Sequence, residues 1–244
     1  MTRVLAGRRP VLEALRGNAK IHHVLMESED KFPDVRGAAQ ASGIPVSTKQ
    51  RAELDRLAEG VRHQGVVALA DPYAFFDVEE LVARSGHHPI LVALDEVTDP
   101  QNLGAVIRSA VTLGIDGLLI PKHRAAGITP AVVRASAGAT EHAAIARVTN
   151  LQRTLLSLYE TGMEIIGLDA TAELGIRDLE PAHSGRVLVV GSEGKGLRRM
   201  VRQRCNIVVH IPQEGPMDSL NASVAAAIAM YEVAAKRGRA SREH

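Results

Sequence analysis

The chain has 244 residues, 45% of them hydrophobic and 23% charged, with a formal net charge of +1. That balance describes one large or two modest folded domains and excludes a disordered or uniformly polybasic protein. Aromatics make up 2% with no Trp, which argues against base-stacking platforms, and the single cysteine, Cys205, excludes an internal disulfide and a thiolate metal cluster.

No run approaches the ~20 apolar residues of a membrane span, and the first ten residues lack a signal-peptide core. With one cysteine, a cytoplasmic location is expected. Residues 1 to about 71 read as a small α/β unit. The pattern predicts a helix near Arg9–Arg16 stopped by Gly17, a strand at His22–Met26, and a helix around Asp34–Ser42 stopped by Gly43. A strand at Pro45–Ser47, a helix near Gln50–Ala58 and a strand at Val66–Ala70 complete it. Asp71-Pro72-Tyr73 breaks the rhythm, and 72–88 reads as a linker with one short helix at Val78–Ala83.

From residue 89 strands and helices alternate. Ile90–Leu94 is a continuous apolar run, as expected of a strand buried on both faces of a parallel sheet, and Ile115–Ile120 is expected to be a second buried strand. Leu103–Leu113 is predicted helical, and Thr129-Pro130 opens another helix in cap-then-proline order. Further strands are expected at Ala144–Val148, Glu164–Leu168, Arg186–Val190 and Ile207–Ile211, with helices at 150–161, 196–203 and 219–236. In the last helix Asp218 and Ser219 are the candidate caps, and Leu220, Val224, Ala227 and Tyr231 the candidate buried face. Five basic residues and no acid lie between Lys195 and Arg204, and four more between Lys236 and Arg242. Such clusters are either solvated faces or phosphate contacts. The adjacent pairs His22-His23 and His87-His88 point apart on a strand and form no metal site.

Ligands of parallel sheets bind at the carboxyl ends of the strands, and three loops there are unusual. Asp95–Gly104 follows the first strand and leads to Arg108. Gly191-Ser192-Glu193-Gly194-Lys195-Gly196-Leu197 lets backbone approach a ligand, yet is neither a Walker loop nor a dinucleotide fingerprint. The third, Ile211–Met230, crowds Ser219, Asn221 and Ser223 around the start of an Ala-rich helix, where simple capping and a ligand site are both open readings.

Together, Asp99-Pro100-Gln101-Asn102-Leu103-Gly104 with Arg108, Gly191–Leu197, and Ile211-Pro212 with Ser219-Leu220-Asn221-Ala222-Ser223 and Ala225 resemble the three motifs of the SpoU/TrmH branch of the SPOUT methyltransferases. Thr129–Ala139, Gly7–Leu15 and His63–Ala68 extend the resemblance to the subgroup that methylates a guanosine ribose in bacterial 23S ribosomal RNA. Gln213, where Met is usual, and Ala143-Ala144, in place of Leu-Pro, depart from it at packing positions. The resemblance implies a C-terminal SPOUT domain (89–244) with a mainly parallel sheet and a deep trefoil knot threaded by Val187–Met230. It also implies a ribosomal-protein-L30e-like domain (1–71) that binds RNA. S-adenosylmethionine is the implied methyl donor, held by the backbone of Gly191, Ile211 and Leu220, with Thr171 a further candidate, and no metal takes part. Asn102, Arg108, Glu193, Ser219 and Asn221 are the implied catalytic residues, with Arg108 either the base or an electrostatic stabiliser of the alkoxide. The implied partners are 23S ribosomal RNA and a second copy of the chain, with neither DNA nor membrane. A tRNA ribose, a resistance-type ribosomal site and a non-catalytic RNA-binding role remain as alternatives.

Overall fold

The computed structural model describes residues 2–17, 19–216 and 219–237. In chain order the elements are β1 (Arg3–Ala6), α1 (Arg8–Arg16), β2 (Ile21–Met26), α2 (Pro33–Ala41), β3 (Val46–Thr48), α3 (Arg51–Leu57), β4 (Val66–Ala70) and α4 (Val78–Ala83). There follow β5 (Ile90–Leu94), α5 (Pro100–Thr112), β6 (Gly117–Pro121), α6 (Pro130–Ala135), β7 (Ile145–Val148), α7 (Leu151–Glu160) and β8 (Glu164–Leu168). β9 (Leu174–Gly175), β10 (Arg186–Val190), α8 (Arg199–Arg202), β11 (Ile207–His210) and α9 (Ala222–Ala235) close the chain.

Two compact units interleave along the sequence. The first joins the residues up to Ala74 with Leu103–Arg108 and Gly127–His142, and the second takes the rest. The first unit has a four-stranded sheet in the order β1-β4-β2-β3, antiparallel except for β2 with β3. β1 is absent from the sequence-based expectation because four residues with no alternation carry no signal. Pairing with β4 makes it a strand. Leu5, Val11, Val24, Met26, Val66 and Val133 share one buried cluster, which draws α6 into this unit. The buried Glu141 carboxylate accepts two hydrogen bonds from Arg3, at 2.9 and 2.8 Å, and ties the 139–142 turn to β1.

Gly104 and α6 pack in the same unit with no room to spare. A Cβ on Gly104 would lie 2.4 Å from Ala135 Cβ and 2.8 Å from the Ser136 nitrogen, atoms that cannot rotate aside. Helix propensity favours alanine by about 1 kcal/mol, while overpacking costs about 1–3 kcal/mol. At this overlap the clash wins. Gly104→Ala should lower Tm by several degrees in a calorimetric melt, and an unchanged or raised Tm would refute this packing.

The second unit is built on a seven-stranded sheet in the order β7-β6-β5-β10-β8-β11-β9, parallel throughout. β5 and β10 are buried at every position; β5 is the continuous apolar run that burial on both faces predicts, while β10 opens with Arg186, whose charge is met by Glu164. The late strands β10 and β11 insert between earlier ones rather than adding to an edge. A simple doubly wound sheet does not produce that order. Of the segment expected to thread a knot, residues 217 and 218 lie outside the described residues.

Four expectations need correction. α5 begins at Pro100, not Leu103, because Asp99 is its cap and accepts from the Asn102 N–H at 2.9 Å. α8 is a single turn, Arg199–Arg202, because the glycine loop extends to Leu197. α9 begins at Ala222 with Asn221, not Ser219, as its cap; Asp218, the other candidate, lies outside the described residues. The buried face of α9 is also different. Ala222, Ala226, Ala229, Met230 and Val233 face the core, while Val224 and Tyr231 are 47% and 62% exposed. On an Ala-rich helix hydrophobic size marks the wrong face, since small side chains let the helix approach β10 and β5.

Candidate active site at the carboxyl ends of the parallel strands

The loops that follow β8, β10 and β11 enclose a cavity of about 320 Å³. Leu168, Asp169 and Thr171 form one wall, Val190 and Gly191–Gly196 a second, and Ile211, Gln213, Ser219 and Leu220 a third, with Ala222 and Ala225 of α9 behind them. The four residues expected to hold a cofactor, Gly191, Ile211, Leu220 and Thr171, all line it.

The glycine loop closes on itself. Ser192 and Gly196 exchange backbone hydrogen bonds of 3.2 and 3.0 Å. Gly194 and Gly196 have φ of 75° and 63°, left-handed backbone that other residues adopt at a cost. Gly191 is glycine for a different reason: a Cβ there would lie 2.1 Å from the carbonyl carbon of Gly196.

Beside the cavity, three polar side chains from three loops meet. Asn221 Oδ1 accepts the Ser223 and Val224 N–H groups, at 3.0 and 3.3 Å, and the Ser223 hydroxyl at 2.6 Å. Its oxygen is thereby committed to the cap, so its amide nitrogen turns outward. That nitrogen donates to Asn102 Oδ1 at 2.9 Å and to Glu193 Oε2 at 3.3 Å. Asn102 Nδ2 in turn donates to Glu193 Oε2 at 3.3 Å. Capping and cluster formation are thus two ends of one side chain. Asp99 caps α5, so the Asn102 side chain is released from that task. Among the sequence-derived catalytic candidates, Asn102, Glu193 and Asn221 are brought together, and Ser219 lies exposed on the cavity wall. Arg108 is exposed on α5, six residues beyond Asn102, and belongs to the other compact unit.

The basic run Lys195–Arg204 is not a uniform cationic patch. Arg198 donates through Nε and its backbone N–H to the fully buried Asp95, at 2.7 and 2.9 Å, and Arg202 Nε donates to Asp169 at 2.7 Å. The hydrogen bond to Asp95 holds the Arg198 guanidinium above its ordinary pKa. Partial burial pulls Asp169 upward, but hydrogen bonds from the Thr171 N–H and hydroxyl and from Arg202 outweigh it and leave its carboxyl below the usual range. Two of the five cations are therefore engaged inside the protein. Asp169 was not singled out from sequence; its one signal is an acid set directly after a buried strand. Burial pushes the Cys205 thiol up to about 12, so it is no thiolate nucleophile. The described residues contain no group of three or more His, Cys, Asp or Glu fit to hold a metal ion. No helix among them is long and apolar enough to cross a membrane.

A glycine-built cavity with a polar cluster at the carboxyl edge of a parallel sheet marks a ligand-binding α/β domain. The profile of the SpoU rRNA Methylase family matches residues 89–231, and one described as RNA 2′-O ribose methyltransferase substrate binding matches residues 4–76. The chain belongs to the SpoU family and is an RNA methyltransferase of that family. It is 41% identical over 242 residues to an uncharacterized tRNA/rRNA methyltransferase of Mycobacterium ulcerans (strain Agy99), covering 97% of this chain and 78% of the relative. A solved structure of the SpoU methyltransferase AviRb from Streptomyces viridochromogenes, in complex with the cofactor AdoMet, aligns with a TM-score of 0.79 at 24% identity, over 95% of this chain and 89% of that one. That likeness speaks to the fold. A structure concerned with 2-OH methylation of C/U34 on tRNA aligns with a TM-score of 0.54 at 28% identity, over 61% of this chain and 95% of that one.

Proposed function

We propose that this protein transfers a methyl group from S-adenosylmethionine to a ribose 2′-hydroxyl of RNA, with a guanosine of 23S ribosomal RNA as its target. The observation that carries the reading is the Asn102–Glu193–Asn221 cluster at a cavity whose walls combine a glycine loop, apolar side chains and polar ones such as Asp169 and Ser219. At about 320 Å³ the cavity falls in the range of small-molecule sites, roughly 300–1,000 Å³. Leu168, Val190, Ile211 and Leu220 suit an adenine ring and an aliphatic tail, and the glycine loop brings backbone polar groups close. The bound sulfonium supplies an electrophilic methyl group.

The residues of the chain then have to orient the ribose and manage one proton. Asn102 orients the ribose and Arg108; Glu193 fixes the Asn102 amide; Ser219 and Asn221 hold the target phosphate and the loops. None of the three motif loops carries a histidine, so no imidazole base is at hand. Arg108 either stabilises the developing alkoxide while gripping the adjacent phosphate, or takes the proton itself. The first is physically easier, since a guanidinium is a donor only. The substrate-binding profile over residues 4–76 supports RNA docking on the N-terminal 1–71 region. The exposed Val224, Ile228 and Tyr231 on α9 support a homodimer.

A tRNA substrate is the second reading, favoured by the tRNA-modifying neighbour. That neighbour matches only 61% of this chain, which argues for a substrate that uses the remaining domain. Incubation with labelled S-adenosylmethionine and either total ribosomal RNA or total tRNA, followed by nucleoside mapping, tests both. A labelled 2′-O-methylguanosine in 23S ribosomal RNA is the expected product, and label confined to tRNA overturns the first reading.

A further inference from the structure

The glycine loop of the cavity is held from both sides by one repeated device. β10 lies between β5 and β8 in matched parallel register, with Val190 opposite Leu94 on one side and Leu168 on the other. The next residue on each flanking strand is an aspartate, Asp95 or Asp169. Each accepts a hydrogen bond from an arginine of the segment that follows the loop. Arg198 reaches Asp95 at 2.7 Å, and Arg202, one helical turn later, reaches Asp169 at 2.7 Å. Asp169 does more, because its other oxygen accepts the Thr171 N–H at 2.9 Å and the Thr171 hydroxyl at 2.7 Å. One carboxylate thus joins α8 to the turn that forms the opposite wall of the cavity.

We propose that Asp95–Arg198 and Asp169–Arg202 form a two-armed clamp that positions the 191–197 loop and the 169–171 turn and thereby sets the affinity of the cavity for an adenosyl ligand. This rests on reading the cavity as the methyl-donor site. The four are positioning residues. Their charged groups are spent within the protein, Arg198 also pairing with Glu96 at 3.5 Å and Asp169 with the Thr171 hydroxyl, so they act through the amides of Gly191 and Thr171. The arrangement also explains why acids stand directly after two strands that are otherwise apolar. An unpaired carboxylate at the fully buried Asp95 would be costly, and the arginines that satisfy them are the ones the loop needs fixed.

The test uses the Arg202 arm, because removing a partner of buried Asp95 endangers the fold. In the full chain, Arg202→Ala, Arg202→Lys, Asp169→Asn and the double variant Asp169→Asn/Arg202→Ala are titrated with S-adenosylhomocysteine by calorimetry, and KM is measured for S-adenosylmethionine and for RNA. Thermal melts confirm that each variant is folded at the assay temperature. The loss of one charge-assisted hydrogen bond should weaken adenosyl binding about tenfold in Arg202→Ala and in Asp169→Asn. The double variant should bind no more weakly than the worse single one, Arg202→Lys should recover part of the affinity, and KM for RNA should hold. Unchanged adenosyl affinity in Arg202→Ala overturns the clamp, as does a loss seen only in KM for RNA, which would make Arg202 a phosphate contact. A wild-type chain that binds no adenosyl ligand overturns the cavity reading and the clamp together.

Discussion

Gly191→Ala should weaken S-adenosylmethionine binding by about 100-fold or more, the equivalent of nearly 3 kcal/mol. The added Cβ would lie 2.1 Å from the carbonyl carbon of Gly196, 2.2 Å from its oxygen and 2.5 Å from the Leu197 nitrogen. All three are backbone atoms, so no rotamer change relieves the overlap. Either β10 or the loop must move. β10 is buried throughout and bonded on both edges, so it stays. The loop cannot slide outward as a whole, because Leu197 packs in the buried core and Arg198 is tied to Asp95. What remains is to break the Ser192–Gly196 pair and push residues 192–196 into the cavity. Gly194→Ala is the control: a Cβ there meets nothing within 4 Å, and only a left-handed backbone cost of about 1–2 kcal/mol applies. Calorimetric titration of both variants, with thermal melts, separates lost affinity from lost fold. Wild-type affinity and Tm in Gly191→Ala would sink this account.

The contrast between these two glycines shows where sequence reading reached and where it stopped. A glycine-rich loop after an apolar strand announces close backbone approach, but which glycine touches what depends on the fold of the loop. Strands β5, β8 and β10 were legible to the residue, and in β5 the reason is plain: burial on both faces writes a continuous apolar run. β1 was not, since its stability comes from a partner 60-odd residues away. α9 was legible as a helix and misread as a surface: alanines gave no contrast, and the larger Val224 and Tyr231 drew attention to the exposed side. Asn102, Glu193 and Asn221 could be named from motif resemblance, yet their mutual hydrogen bonds follow from strand order, which no local pattern encodes. The same holds for Asp95 and Asp169. Each is an ordinary acid until β10 is known to lie between their strands.

Arg108→Ala should abolish methyl transfer, lowering kcat by about 10³-fold, while Tm and S-adenosylmethionine affinity stay near wild type. Arg108 is exposed in the interior of α5, and alanine is the best helix former, so the helix itself loses no propensity. It is absent from the cavity wall, so cofactor affinity should not depend on it. The two roles open to this residue separate in Arg108→Lys. If a planar guanidinium grips phosphate and alkoxide together, an ammonium reproduces the charge without the fork, and little activity returns at any pH. If the side chain takes the ribose proton, lysine can deprotonate where arginine cannot, and the rate of the variant should climb as pH rises toward its pKa of about 10. A flat and low pH–rate profile supports the electrostatic role, and a rising one supports the base. Wild-type turnover in Arg108→Ala would remove Arg108 from the mechanism and shift the search for the proton acceptor to Glu193, the carboxylate of the cluster beside the cavity.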